Sequence, residues 1–150
     1  MADPYRKHRD ADARRSSARR AIAALLPLEL YPAHKRELLS ICLWKLSEAE
    51  GLSKYRTRLC SQRALKAKPA LLAHEHVYER KKLVAQLMAD PSSLDQVLAR
   101  AIGCTVTRQE HARLSAISRE RPDLEGWERY RAAGVRVVDT ATGELLDAAT

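Results

Sequence analysis

Three of the five histidines in this 150-residue chain fall in two short stretches, Ala73-His74-Glu75-His76-Val77 and Thr105-Val106-Thr107-Arg108-Gln109-Glu110-His111. An imidazole titrates close to neutral pH, which makes His76 a candidate general base that takes a proton from water. Glu75 or His74, together with His111, can hold one divalent cation and leave positions open for water and phosphate oxygens. A regular strand puts His74 and His76 on one face and turns Glu75 away, which favours His74 with His111 as ligands. A twisted or ending strand brings Glu75 round instead, and the residues alone leave both arrangements open.

Charge points to the same chemistry. Residues 51–82 carry a net +7, residues 1–20 a net +4, and the whole chain a formal +8. Clustered Lys and Arg attract phosphate chains by releasing condensed counterions, whatever the base sequence. Arg56, Arg58, Arg63, Arg80, Lys81 and Lys82 are the candidate nucleic-acid contacts, placed on both sides of the histidine pair.

The elements that must position these groups are mostly helical. Residues 1–9 read as a flexible basic arm, followed by a single α+β domain over 10–150. Ala18, Ala21, Ile22, Leu25 and Leu26 repeat at helical spacing, and Pro27 stops that helix. Leu38, Leu39, Cys42, Leu43 and Leu46 mark a second helix, closed by Gly51, so 10–50 is expected to form a helical hairpin. Residues 51–70 read as a basic loop with a short helix near 61–67. A short strand around His74–Val77, helices over 78–89 and 94–102, and an extended Cys104–Val106 follow. Thr107 and Glu110 have capping-box spacing for a helix over 108–118. Over 119–150 the pattern gives a helix with Trp127 and Tyr130 one turn apart, then a strand over 135–138. Thr142-Gly143 supplies a turn to a return strand over 144–147.

Over residues 73–114 the sequence resembles the HNH, or His-Me finger, nucleases. Glu75-His76-Val77 looks like the family's acid–His–aliphatic start, and Cys104–Val106 with the capped helix bearing His111 looks like its second strand and ligand helix. The chain departs from the pattern in having no Asn and no CxxC pair, and His76 and His111 stand 35 positions apart. The resemblance implies a ββα-metal finger over 71–118 with inserted helices. It implies His76 as base, and Glu75 or His74 with His111 on the metal, Mg²⁺ first and Mn²⁺ or Zn²⁺ next. The activity implied is divalent-metal-dependent endonucleolytic hydrolysis, on DNA ahead of RNA.

Two other classes are compatible with the same residues: a non-catalytic nucleic-acid-binding regulatory module, and a helical adaptor that binds another protein. No stretch approaches the roughly 18 apolar residues of a membrane span, so a membrane partner is not expected. The start has no apolar segment after its basic residues, and the cysteines at 42, 60 and 104 are odd in number and widely spaced. Both features suit reduced thiols in a cytoplasmic protein.

Overall fold

The computed structural model describes residues 5–146. The first four residues of the expected arm and the last residue of the expected return strand lie outside them. Within the described part of the arm, the Tyr5 hydroxyl donates to Glu50 Oε1 (2.7 Å) and the His8 backbone N–H donates to the Glu50 carbonyl (2.7 Å). These bonds dock residues 5–8 on the end of the second helix rather than leaving them as a loose arm.

Helices α1 (Ala11–Leu25) and α2 (Pro32–Ser47) form the hairpin. The first ends where Pro27 forbids continuation, and the second opens on Pro32, whose missing N–H costs nothing in a first turn. Ala18, Ile22 and Leu26 meet Leu39, Leu43 and Leu46. The same apolar cluster takes in Leu83, Val84 and Leu87 from α4 (Arg80–Ala89) and Val97 from α5 (Leu94–Ala99). Four helices thus share one core, and no helix among the described residues is long and apolar enough to cross a membrane.

The sheet runs in the order β2-β3-β1-β4-β5. Its strands are β1 (Leu59–Ser61), β2 (Leu72–His76), β3 (Gly103–Thr107), β4 (Val137–Asp139) and β5 (Glu144–Leu146). β2 and β3 pair antiparallel, with His74 opposite Thr105, Glu75 opposite Cys104 and His76 opposite Gly103. β1 pairs parallel with β3 and antiparallel with β4. Residues 51–70, read from sequence as a basic loop, therefore contribute the middle strand of the sheet, followed by the short helix α3 (Gln62–Lys66). Leu59-Cys60-Ser61 has no length or alternation to announce a strand; its partners lie far along the chain.

A second core lies on one face of the sheet, beneath α6 (Arg108–Glu120) and α7 (Trp127–Ala132). There Val77, Cys104, Val106 and Val137 pack with Leu114, Tyr130 and Ala133. α6 starts directly after β3 with the expected capping box: Thr107 Oγ1 accepts from the Glu110 N–H (3.1 Å), and Glu110 Oε2 accepts from the Thr107 N–H (2.9 Å). Glu110 Oε2 also accepts from the Ser61 hydroxyl (2.6 Å), which ties the start of α6 to β1. The fold is α+β, with helices on both faces of a five-stranded sheet, so the side chains of β2 meet different helices on its two sides.

Candidate functional site

Strand alternation decides the company each candidate keeps. Glu75 points toward α6 and α7, whereas His74 and His76 point to the opposite face, toward α2. The structure therefore brings Glu75 together with His111 and His74 together with His76, and it joins neither of that pair to His111. Of the two ligand pairs read from the sequence, Glu75 with His111 is brought together and His74 with His111 is not, because β2 sends His74 to the other face. Among the described residues, no group of three or more His, Cys, Asp and Glu side chains is gathered as a metal site.

On the first face, Glu75 Oε2 accepts a hydrogen bond from Nδ1 of His111, in the first turns of α6. Glu75 Oε1 accepts from Nη2 of Arg129 on α7 (3.0 Å). The same guanidinium nitrogen donates to the carbonyls of His76 (2.6 Å) and Val77 (3.1 Å), and Nη1 donates to the Ser118 hydroxyl (3.2 Å). Arg129 thereby fastens the end of β2 to α6 and α7. The Arg129 and Glu75 side chains are 3% and 9% exposed, but His111 is 50% exposed. With Nδ1 donating to the carboxylate, the neutral ring keeps a lone pair on Nε2. A buried carboxylate, fixed by a buried arginine, thus orients a half-exposed imidazole, the arrangement a positioned general base requires.

A divalent cation between Glu75 and His111 would have to take the place of the Nδ1 hydrogen bond. Both carboxylate oxygens are engaged, and Arg129 already supplies the positive charge beside them. His111 offers one open nitrogen.

On the opposite face, His74 stacks on Trp44 of α2 (ring centroids 5.3 Å, interplanar 25°), and His76 meets Trp44 edge-on at 5.3 Å. His74 Nδ1 faces the Lys54 carbonyl at 2.7 Å, which fixes the proton on Nδ1. Burial pushes the His76 imidazole down to about 3, helped by the charges of His74, Arg80 and Arg129. His74 is also pushed below the usual histidine value by burial, against the pull of the Lys54 carbonyl, Glu48 and Glu75. An imidazole protonated only in strong acid is a weak base, so geometry and electrostatics favour His111 over His76 for that role.

Gly103, opposite His76 in the register, lets the His74 ring lie against β3. A Cβ there would stand 2.7 Å from His74 Cε1 and 3.1 Å from Nε2. Gly103→Ala is expected to push His74 off Trp44 and cost about 1–3 kcal/mol. Denaturant melts and the Trp44 emission spectrum would check this; an unchanged midpoint would mean that the ring moves freely.

The basic residues divide in a way the sequence does not show. Arg56, Arg63 and Lys81 are exposed. Arg58 makes a two-point contact with Asp139 (2.8 Å each), and this pair holds the Asp139 carboxyl below the usual carboxylate range. Arg80 lies over the Trp44 ring at 4.3 Å and donates to the Ser40 carbonyl; Lys82 donates to the Pro122 carbonyl (2.9 Å). Arg108, exposed and three positions before His111, lies on the same face of α6. Sequence reasoning missed Arg129 and Trp44. No local signal marks Arg129: it stands between Glu128 and Tyr130 on a short helix that also carries Arg131, and only folding decides that it is the buried one.

Compared with family models, with curated proteins and with solved structures, the chain matches none.

Proposed function

We infer that this protein acts on nucleic acid, DNA ahead of RNA, and that His111 is the general base of a phosphodiester-cleaving centre. The observation that carries the reading is the buried Glu75 carboxylate, fixed by Arg129 and bonded to Nδ1 of a half-exposed His111. In this reading His111 Nε2 takes the proton of an attacking water, and Glu75 supports the imidazolium that forms. The new oxygen–phosphorus bond forms as the bond to the leaving sugar oxygen breaks, and that oxygen takes up a proton from solvent, to which the His111 imidazolium later returns its own. Arg108, with the exposed Arg63 and Lys81, provides positive charge for the substrate's phosphates.

The test is cleavage of plasmid, single-stranded DNA and RNA, with EDTA, Mg²⁺, Mn²⁺ or Zn²⁺ present. His111→Ala is expected to lower the rate by about 10²–10⁴-fold. Because the side chain is half exposed, circular dichroism and salt-dependent binding should stay as in the parent. Cleavage undiminished in His111→Ala would remove the base assignment. A strict need for Mg²⁺ would put a divalent cation in the chemistry and overturn the metal-free reading of the Glu75–His111 pair.

A second reading, a binding module without chemistry, draws on that same arginine: the Glu75–His111–Arg129 contacts also brace β2 against α6 and α7. It predicts salt-sensitive binding with no cleavage under any of these conditions.

A further inference from the structure

His74 and His76 on the α2 side of the sheet have no part in the centre described above. Both are 9% exposed, their ring centroids are 4.9 Å apart, and Nε2 of each is shut away from solvent. Neither Nε2 has a hydrogen-bond partner among the described residues. Burying a polar nitrogen without a partner is costly, and two side by side call for a ligand that satisfies both. We propose that His74 and His76 form a two-imidazole site for a borderline divalent transition-metal ion of the Zn²⁺, Ni²⁺, Co²⁺ or Cu²⁺ kind.

The chemistry of the donors selects that class. A neutral imidazole nitrogen suits these ions, whereas Mg²⁺ and Ca²⁺ prefer oxygen. A His-x-His pair on a strand places two imidazoles on one face, two residues or roughly 6.7 Å apart along the backbone. His74 also has the outer contact expected of a ligand: Nδ1 donates to the Lys54 carbonyl, which sets the ring orientation and leaves the Nε2 lone pair bare. The Ser47 carbonyl borders the same space, since a point beside Gly103 lies 3.1 Å from both that oxygen and His74 Nε2. The remaining positions are filled by water or a small anion that enters with the ion. Trp44 covers both rings, and the positive charge of Arg80 beyond it works against a cation while Glu48 near His74 works for it. Two protein nitrogens with a cation nearby set a modest, micromolar-range affinity, and Arg80→Gln is expected to tighten it roughly tenfold.

Trp44 makes the test direct, because a paramagnetic ion on these imidazoles quenches its fluorescence. In the full chain carrying Trp127→Phe, Ni²⁺ is expected to quench Trp44 at one equivalent. His74→Gln and His76→Gln should each abolish the effect while keeping the circular dichroism, and His111→Ala should leave it unchanged. Zn²⁺ should raise the Tm of the unmodified chain by about 5 °C when saturating. Absence of quenching at millimolar Ni²⁺ overturns the proposal, as does quenching that survives in His74→Gln. Should the glutamine variants fail to fold, ¹⁵N spectra of the unmodified chain decide. Zn²⁺ is expected to move the Nε2 signals of His74 and His76 together; shifts confined to His8, His34 or His111 would mean an adventitious ion only. The outcome is independent of the cleavage assay, which reads the other face of the sheet.

Discussion

Arg129→Leu is expected to destabilise the protein by about 3–5 kcal/mol, out of a total that for domains of this size is about 5–15 kcal/mol. Arg129 is 3% exposed, and its guanidinium serves Glu75, two backbone carbonyls at the end of β2, and Ser118. Leucine fills part of the volume and serves none of them. The buried Glu75 carboxylate then loses its countercharge, and the His76 and Val77 carbonyls lose a donor in a region closed to water. Removing one partner of a buried pair is far worse than removing both, because the remaining charge is left uncompensated. Glu75→Gln with Arg129→Leu should therefore recover a substantial part of the loss, and the double-mutant cycle should show a coupling of more than about 1 kcal/mol. Urea melts of the four proteins measure it. Strict additivity would mean that the two side chains are not energetically joined and that Arg129 does not fix Glu75 for His111.

How far the sequence foretold this arrangement depended on whether the deciding partner was local. The helical hairpin, the stop at Pro27 and the Thr107–Glu110 capping box rest on spacings of a few residues, and each is found in the structure. β1 was not legible: Leu59-Cys60-Ser61 becomes the middle strand only because β3 and β4, more than forty positions away, come to flank it. The alternation of β2 showed that Glu75 faces away from His74 and His76. It did not show which helix lies on which side, and that is what separates His111 from the other histidines. Likewise the basic block was visible as charge, yet Arg58, Arg80 and Lys82 are drawn into contacts with Asp139, Trp44 and Pro122 that only folding creates. Charge composition reports an attraction to phosphate; it does not report which cations the fold has already engaged.

The largest pH effect is expected from His76, and its sign follows from burial. In the folded chain the imidazole takes a proton only near 3, against 6.5 for a free side chain. The groups that bear on it include His74, Arg80 and Arg129, all of which oppose a positive charge on the ring. Between these two values the unfolded chain binds a proton that the folded chain does not, so stability rises with pH across the window. The contribution is complete above 6.5 and is lost as pH falls toward 3, to a total of about 3–5 kcal/mol. Carboxylates held low in the fold, Glu48 and Asp139, add losses of their own, but only below their ordinary values of 4.5 and 3.8. The interval from 6.5 to 4.5 therefore isolates the imidazoles. With EDTA present to exclude metal ions, the Tm of the parent should fall steadily through that interval. His76→Phe, which keeps a ring beside Trp44 without a titrating nitrogen, should flatten most of the slope and leave the smaller contribution of His74. An unaltered slope in His76→Phe would show that His76 is accessible to protons in the folded state, and that the seal formed by Trp44 over β2 is open in solution.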